Sequence, residues 1–302
     1  MIDLHVHTII SDGTLSPEQV ARLAVERRLK AIAVTDHDTV AGIAPAREEG
    51  EQLGLEVVPG VEMSAQSEKG ILHILGYFVR VDEPGLLMSL ESLSRARRER
   101  IPKILSKLER RHVHIANEEV EHEAVGGVPG RPHVARIMLR KGYVRALQEA
   151  FELYLKKGAS AYVEKAKLSP QEAIETILKA GGLPVLAHPY SLGEDDPQRL
   201  EAVVRGLMDY GLTGIEAYYS RHTRKQTTVF LRLASRLGLV VTGGSDFHGA
   251  NKPGIELGVI PETGPLSYSI LEGLKRARVR TPARPEPACP ERPTATNSRS
   301  SY

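Results

Sequence analysis

Short apolar runs recur along the chain, and most of them stop on a histidine or a carboxylate. The first, Ile2-Asp3-Leu4-His5-Val6-His7, alternates apolar and polar residues, which predicts a strand with His5 and His7 on one face. A turn, Ser11-Asp12-Gly13, follows. Ser16-Pro17-Glu18-Gln19 then reads as a helix start, with Ser16 as N-cap, Pro17 as first helical residue and Gln19 as capping-box partner. The run 31–34 predicts a second strand, ending in Thr35-Asp36-His37-Asp38. Run 55–62 predicts a third, ending on Glu62, and run 71–77 a fourth, carrying His73. Such strand–helix alternation predicts an α/β fold of parallel strands joined by helical crossovers.

The rhythm breaks near Asp82 and resumes near Ser169. Between them Ile101, Ile104, Leu105 and Leu108 fall on one helix face, so 82–165 is expected to be a helical insertion capping a barrel mouth. Arg95, Arg97, Arg98, Arg100 and Lys103 crowd this stretch and read as a solvated basic face. Ser169-Pro170-Gln171-Glu172 is a second capping box. Strands are then expected at 183–187, ending on His188, at 214–219, before Ser220-Arg221-His222, and at 239–242, before Ser245-Asp246-Phe247-His248. The expected organisation is a barrel in two parts, 1–81 and 166–282, the insertion 82–165, and a Pro-, Ser- and Thr-rich tail, 283–302, disordered by composition.

Composition narrows the function. A chain of 302 residues with net charge +2 is long enough for a large core and is not a basic glove for nucleic acid. A single cysteine, Cys289, excludes a disulfide framework and thiolate zinc sites. With no apolar stretch of spanning length and no leader ahead of His5, a cytoplasmic protein without membrane contact is expected, and no obligate protein partner is evident.

Taken singly, a strand-end histidine is usually structural, and Asp12 is an ordinary turn residue. His112, His114 and His122, in the insertion, lack strand context and are expected to be structural or exposed. Collectively the picture differs. His5, His7, His37, His73, His188 and His248 lie on or just after predicted strands, with Asp12, Glu62 and Asp246 in comparable places. In a parallel barrel, strand ends and the loops after them meet at one mouth. Burying so many titratable groups is costly unless cations offset it. Imidazole and carboxylate without thiolate suit Mn2+, Zn2+ or Fe2+. Nine ligands exceed the need of one ion, so two to three divalent ions are expected, an arrangement that activates water and stabilises displacement at phosphorus.

These motifs, in this order, resemble the PHP superfamily (polymerase and histidinol phosphatase) over nearly everything from residue 1 to about 280. The resemblance rests on His5-Val6-His7-Thr8 with Ser11-Asp12-Gly13, Thr35-Asp36-His37-Asp38, Gly60-Val61-Glu62, His73, His188-Pro189 and Ser245-Asp246-Phe247-His248. The chain looks most like the branch of 3',5'-nucleoside bisphosphate phosphatases and a 5'-3' exoribonuclease. That branch carries a Gly-Arg-Pro-His element, here Gly130-Arg131-Pro132-His133. The resemblance implies a distorted (β/α)7 barrel with a trinuclear site. His5, His7, Glu62 and Asp246 would hold one ion. Glu62 would bridge to a second held by His73 and His188, and Asp12, His37 and His248 would hold the third. Asp36 and Asp38, pointing opposite to His37 on an ideal strand, are expected to support imidazoles rather than ligate.

Arg131 offers a planar fork for phosphate oxygens, with His133 close by, against the plainer reading of a helix start with Pro132 in its first turn. His222 is a candidate phosphate ligand or general acid. The expected enzyme is a metal-dependent phosphatase of nucleotide phosphomonoesters. Its substrate would be a 3',5'-nucleoside bisphosphate, giving a nucleoside 5'-monophosphate and phosphate, or an AMP-like nucleotide. The alternatives are a 5'-3' exoribonuclease on short 5'-phosphorylated single-stranded RNA, a histidinol phosphatase, an amidohydrolase-type C–N hydrolase and a non-catalytic metal-binding barrel.

Overall fold

Each strand lies beside its neighbour in sequence, in the order β1-β2-β3-β4-β5-β6-β7. The computed structural model describes residues 1–124 and 127–280, so Cys289 and the expected tail lie outside the described residues. The first half runs β1 (Ile2–Val6), α1 (Pro17–Glu26), β2 (Ala31–Val34), α2 (Ile43–Leu53), β3 (Glu56–Ala65) and β4 (Leu72–Tyr77). Helices α3 (Pro84–Glu109), α4 (Asn117–Glu123), α5 (Arg131–Arg140) and α6 (Leu147–Ala150) follow, the last running into a π-helical turn, Phe151–Leu155. The second half is α7 (Pro170–Lys179), β5 (Leu183–Leu186), α8 (Pro197–Asp209), β6 (Gly214–Tyr219), α9 (Arg224–Leu237), β7 (Val240–Gly244) and α10 (Ser269–Arg280).

The sheet curls into a nearly closed barrel. The chain just after β7 meets β1: the His7 N–H donates to the Phe247 carbonyl at 3.0 Å and the Asp246 N–H to the His5 carbonyl at 2.9 Å. Gly244 makes this approach possible, because a Cβ there would overlap the backbone N and Cβ of His5. One expectation needs correction. Strands β1-β2-β3 and β5-β6-β7 pair in parallel, but β4 is antiparallel to both β3 and β5. The connection 66–71 is too short for a helical crossover, so the chain turns straight back.

Local signals act as the sequence predicts at the helix starts. Ser16 with Gln19 and Ser169 with Glu172 form reciprocal capping boxes. Helices α1 and α2 bury Val20, Ala24 and Ile43 against Val6, Ile32 and Val34 of β1 and β2. Helices α7, α8 and α9 cover β3 to β6. No helix among the described residues is long and apolar enough to cross a membrane.

Helix α3 is shared between two cores. Leu86, Leu90 and Leu93 pack with Ile177 on the barrel's apolar layer, whereas Ile101, Ile104 and Leu108 join Val120, Val134 and Met138 in a core of the inserted helices. A rigid rod thus sets the insertion against the barrel, with Arg97 at the changeover. The expected solvated basic face is therefore only partly solvated. Arg95 and Lys103 are exposed, but Arg100 is buried and Arg97 nearly so. His112, His114 and His122 are exposed.

Candidate metal centre

All seven strands deliver a polar side chain to one end of the barrel. His5 comes from β1, His7 and Asp12 from the loop after it, and His37 from the loop after β2. Glu62 and His73 lie within β3 and β4; His188 follows β5, and Asp246 and His248 follow β7. Three of the loop starts have left-handed backbone at non-glycine residues: Asp38 at φ 55°, His188 at 25° and Asp246 at 58°. Such conformations cost of order 1–3 kcal/mol each and persist where the surroundings over-determine them.

The donor atoms fall into three overlapping groups: His5, His7, Glu62 and Asp246; His7, Asp12, His37 and His248; and His37, Glu62 and His73. In the first, Glu62 Oε2 lies 3.2 Å from His5 Nε2 and 3.0 Å from His7 Nε2, with Asp246 Oδ1 3.3 Å from His7 Nε2. Glu62 turns its other oxygen, Oε1, to His73 Nδ1 at 2.6 Å and His188 Nε2 at 2.8 Å. Asp12 Oδ1 sits 3.1 Å from His248 Nε2, and Oδ2 3.9 Å from His37 Nε2. Glu62 thus reaches both its own groups, and His7 and His37 lie between neighbouring groups.

The donor set fits divalent cations. His5 Nε2 and His7 Nε2 are only 3.1 Å apart, and acidic oxygens crowd the same point. Lone pairs packed this closely in a buried place need positive charge between them. Without an ion, protons take that part. Burial disfavours the charged imidazole of His7, yet Asp246 and Glu62 push its pKa up to about 9. His5 is raised well above the ordinary range, against burial, by Glu216, Glu62 and Asp246. Burial would raise Glu62 too, but His37, His73 and His5 hold it well below the carboxylate range.

Residues without a site expectation from the sequence complete the surroundings. Glu216, on β6, accepts from His5 Nδ1–H at 2.9 Å. Tyr219 O–H donates to Asp246 Oδ2 at 2.6 Å, and Lys252 pairs with the same oxygen. The signal for Glu216 was present in the run Gly214–Tyr219: a buried carboxylate inside an apolar strand, as with Glu62.

Neither Asp36 nor Asp38 hydrogen-bonds an imidazole, so their expected support of the rings is indirect at most. Asp36 accepts from Thr8 N–H (2.7 Å), Thr8 Oγ1–H (2.7 Å) and Ser11 Oγ–H (2.6 Å), pinning the loop that carries His7 and Asp12. Asp38 accepts from Ser64, Arg97 and Lys165, the last two at 2.8 Å. It is a seam between barrel and insertion. Two cations share that one carboxylate, and burial with the nearby Arg97 pushes Lys165 down to about 7.

The expected substrate residues are not gathered at one point. Arg131 donates to the Leu155 carbonyl at 3.0 Å and, like Arg100, faces the Tyr162 ring. The Arg131-Pro132-His133 stretch is a helix start with Pro132 in its first turn, and the Gly130 N–H donates to His133 Nδ1 at 2.9 Å. His222 lies away from these, among Tyr190, Tyr219 and Phe230, with Nδ1–H donating to the Ala217 carbonyl at 2.9 Å. In both rings Nε2 is buried without a hydrogen-bond partner among the described residues, and burial pushes each pKa down to about 4.

The family model for the PHP domain matches residues 3–166, more than half of the chain. The chain is 35% identical over 260 residues to the 5'-3' exoribonuclease Rnm of Escherichia coli, covering 85% of this chain and 87% of the relative. It is 31% identical over 285 residues to the 3',5'-nucleoside bisphosphate phosphatase of Chromobacterium violaceum, covering 93% and 99%. A crystal structure from Bifidobacterium adolescentis, assigned as a metal-dependent phosphoesterase, superposes with a TM-score of 0.81 at 28% identity, covering 92% of this chain and 96% of that one.

Proposed function

The chain belongs to the PHP domain family and is a metal-dependent phosphoesterase, and from that premise we propose that it hydrolyses a nucleotide carrying more than one phosphate group, most simply a 3',5'-nucleoside bisphosphate. The observation that carries the reading is the pairing of two opposite charge imbalances. The barrel end holds an excess of lone pairs suited to cations. The insertion beside it holds Arg97 and Lys165 on Asp38, and Arg100 and Arg131 over the Tyr162 ring. Asp38 directly follows His37 in the chain, so the Arg97 and Lys165 cations on its carboxylate lie beside the donor groups. A bisphosphate satisfies both regions: one phosphate lies against the ions and the other against this positive wall.

Two to three divalent ions, Mn2+, Zn2+ or Fe2+, would be held by His5, His7, Glu62 and Asp246, by Glu62, His73 and His188, and by Asp12, His37 and His248. When bound they supply an activated water and neutralise charge at phosphorus. Arg131 and Lys165 orient the remote phosphate. Because His133 Nδ1 accepts from Gly130, its Nε2 carries the proton and suits it to donate to a phosphate oxygen. His222 has the opposite tautomer. Its Nδ1–H is donated to Ala217, so the neutral ring offers Nε2 as an acceptor, fitted to a nucleoside hydroxyl or water. As a general acid it would first need a phosphate dianion nearby to raise its pKa from about 4.

Incubating metal-loaded protein with adenosine 3',5'-bisphosphate tests the proposal. Release of one phosphate with accumulation of the 5'-monophosphate is expected, and no release with Mn2+, Zn2+ or Fe2+ would sink it. The similarity to an exoribonuclease favours a second reading, stepwise cleavage of short 5'-phosphorylated RNA by the same site. A ladder of shortened products from a labelled oligonucleotide, formed faster than phosphate from the bisphosphate, would select it.

A further inference from the structure

The carboxylate of Glu216 is fully buried, although it projects from an apolar strand and lies in none of the three donor groups. Its two oxygens face two different ligands. Oε1 lies 2.9 Å from His5 Nδ1, and Oε2 accepts the backbone N–H of His188 at 2.7 Å. An ionised carboxylate only accepts, so the proton that His5 keeps when Nε2 holds an ion sits on Nδ1, while Nε2, 3.2 Å from Glu62 Oε2, faces the donor group. His188 begins its loop at φ 25° and ψ 69°, a conformation an L-residue rarely adopts, while its Nε2 lies 2.8 Å from Glu62 Oε1. Ser191 Oγ, 2.8 Å from His188 Nδ1, holds the other side of that ring.

We propose that Glu216 is a positioning residue that couples the two metal subsites on either side of Glu62, by fixing the ring of His5 in one and the backbone of His188 in the other. The proposal rests on reading the cluster as a metal centre. Removing one anchor leaves each ligand free to turn away, and the two subsites lose affinity together. Tyr219 supplies the contrast. Among the described residues its hydroxyl donates to Asp246, a ligand of one subsite, so Tyr219→Phe disturbs that subsite.

The test is a chelator-competition titration with Mn2+ or Zn2+ on the full chain, comparing wild type, Glu216→Gln, Glu216→Ala and Tyr219→Phe, with thermal unfolding of each metal-free protein alongside. An amide at position 216 can still accept one of the two bonds but not both. Two ions are expected to weaken together by about 10–100-fold in Glu216→Ala, less in Glu216→Gln, and only one in Tyr219→Phe. Wild-type affinity for both ions in the Glu216 variants would overturn the proposal, as would weakening of a single ion. A loss of affinity that merely follows a lower melting temperature would assign Glu216 a structural role instead. If the variants do not fold, 15N NMR of metal-loaded wild type decides the first half: His5 protonated on Nδ1 alone supports the proposal, and protonated on Nε2 alone overturns it. Failure of wild type to bind ions would overturn the metal centre itself, a result distinct from any of these.

Discussion

The barrel end and the inserted helices bury charge in opposite ways. At the barrel end, four acidic groups, Asp12, Glu62, Asp246 and Glu216, face six imidazoles, and lone pairs outnumber the protons available to separate them. In the insertion, Arg97 and Lys165 converge on one carboxylate, Asp38, while Arg100 and Arg131 lean on the Tyr162 ring. One region is completed by cations and the other by anions. Buried charge that is unsatisfied within the protein marks where a ligand brings the missing partner. On the function proposed above, a substrate with one phosphate for each region satisfies both deficits.

Substitutions can separate the two regions, and the largest effect belongs to the barrel end. Glu62 touches His5, His7, His37, His73 and His188, so Glu62→Ala removes the group common to two donor groups. Phosphate release should fall by about 10³-fold or more, with metal analysis showing fewer ions bound. Full activity in this variant would break the comparison at once.

Asp38→Asn tests the opposite region. It leaves Arg97 and Lys165 without their buried counter-charge, and the expected cost is about 3–5 kcal/mol of stability in denaturant titration. Lys165→Ala is gentler, because Asp38 keeps Arg97 and Ser64. Its expected signature is a roughly 10–100-fold loss in kcat/KM for the bisphosphate with metal affinity retained. Weakened metal binding instead would show that the positive wall belongs to the centre rather than to the substrate.

The smallest effect concerns protons. His5 and His7 hold protons in the metal-free centre, His7 up to a pKa of about 9. An ion must displace them, so apparent affinity should fall as pH drops below about 9, near tenfold per unit for each proton released. Chelator competition between pH 6 and 9 measures the slope, and a flat profile would mean that the imidazoles are already neutral.

Much of the site was legible because ligands placed at strand ends follow from period-2 alternation. His5, Glu62 and Asp246 each close or punctuate an apolar run, and a barrel brings such positions to one end. The turn of β4 was not legible in that way. An antiparallel strand and a parallel one share the same apolar pattern, and only the short connection 66–71 separates them. Arg97 was hidden for a related reason. A run of basic residues looks solvated along one helix, until a second structural element supplies the buried carboxylate that turns one of them inward.

The sequence by itself determined the chemical kinds of group present and their places relative to strand and helix, because side-chain period, capping residues and turn residues are local properties. Tertiary structure decided which groups meet. That Glu62 divides its two oxygens between donor groups, that Glu216 ties His5 to His188, and that Asp38 faces the insertion all depend on pairings across tens to hundreds of residues. Barrel closure sets such distances, and no local pattern records them.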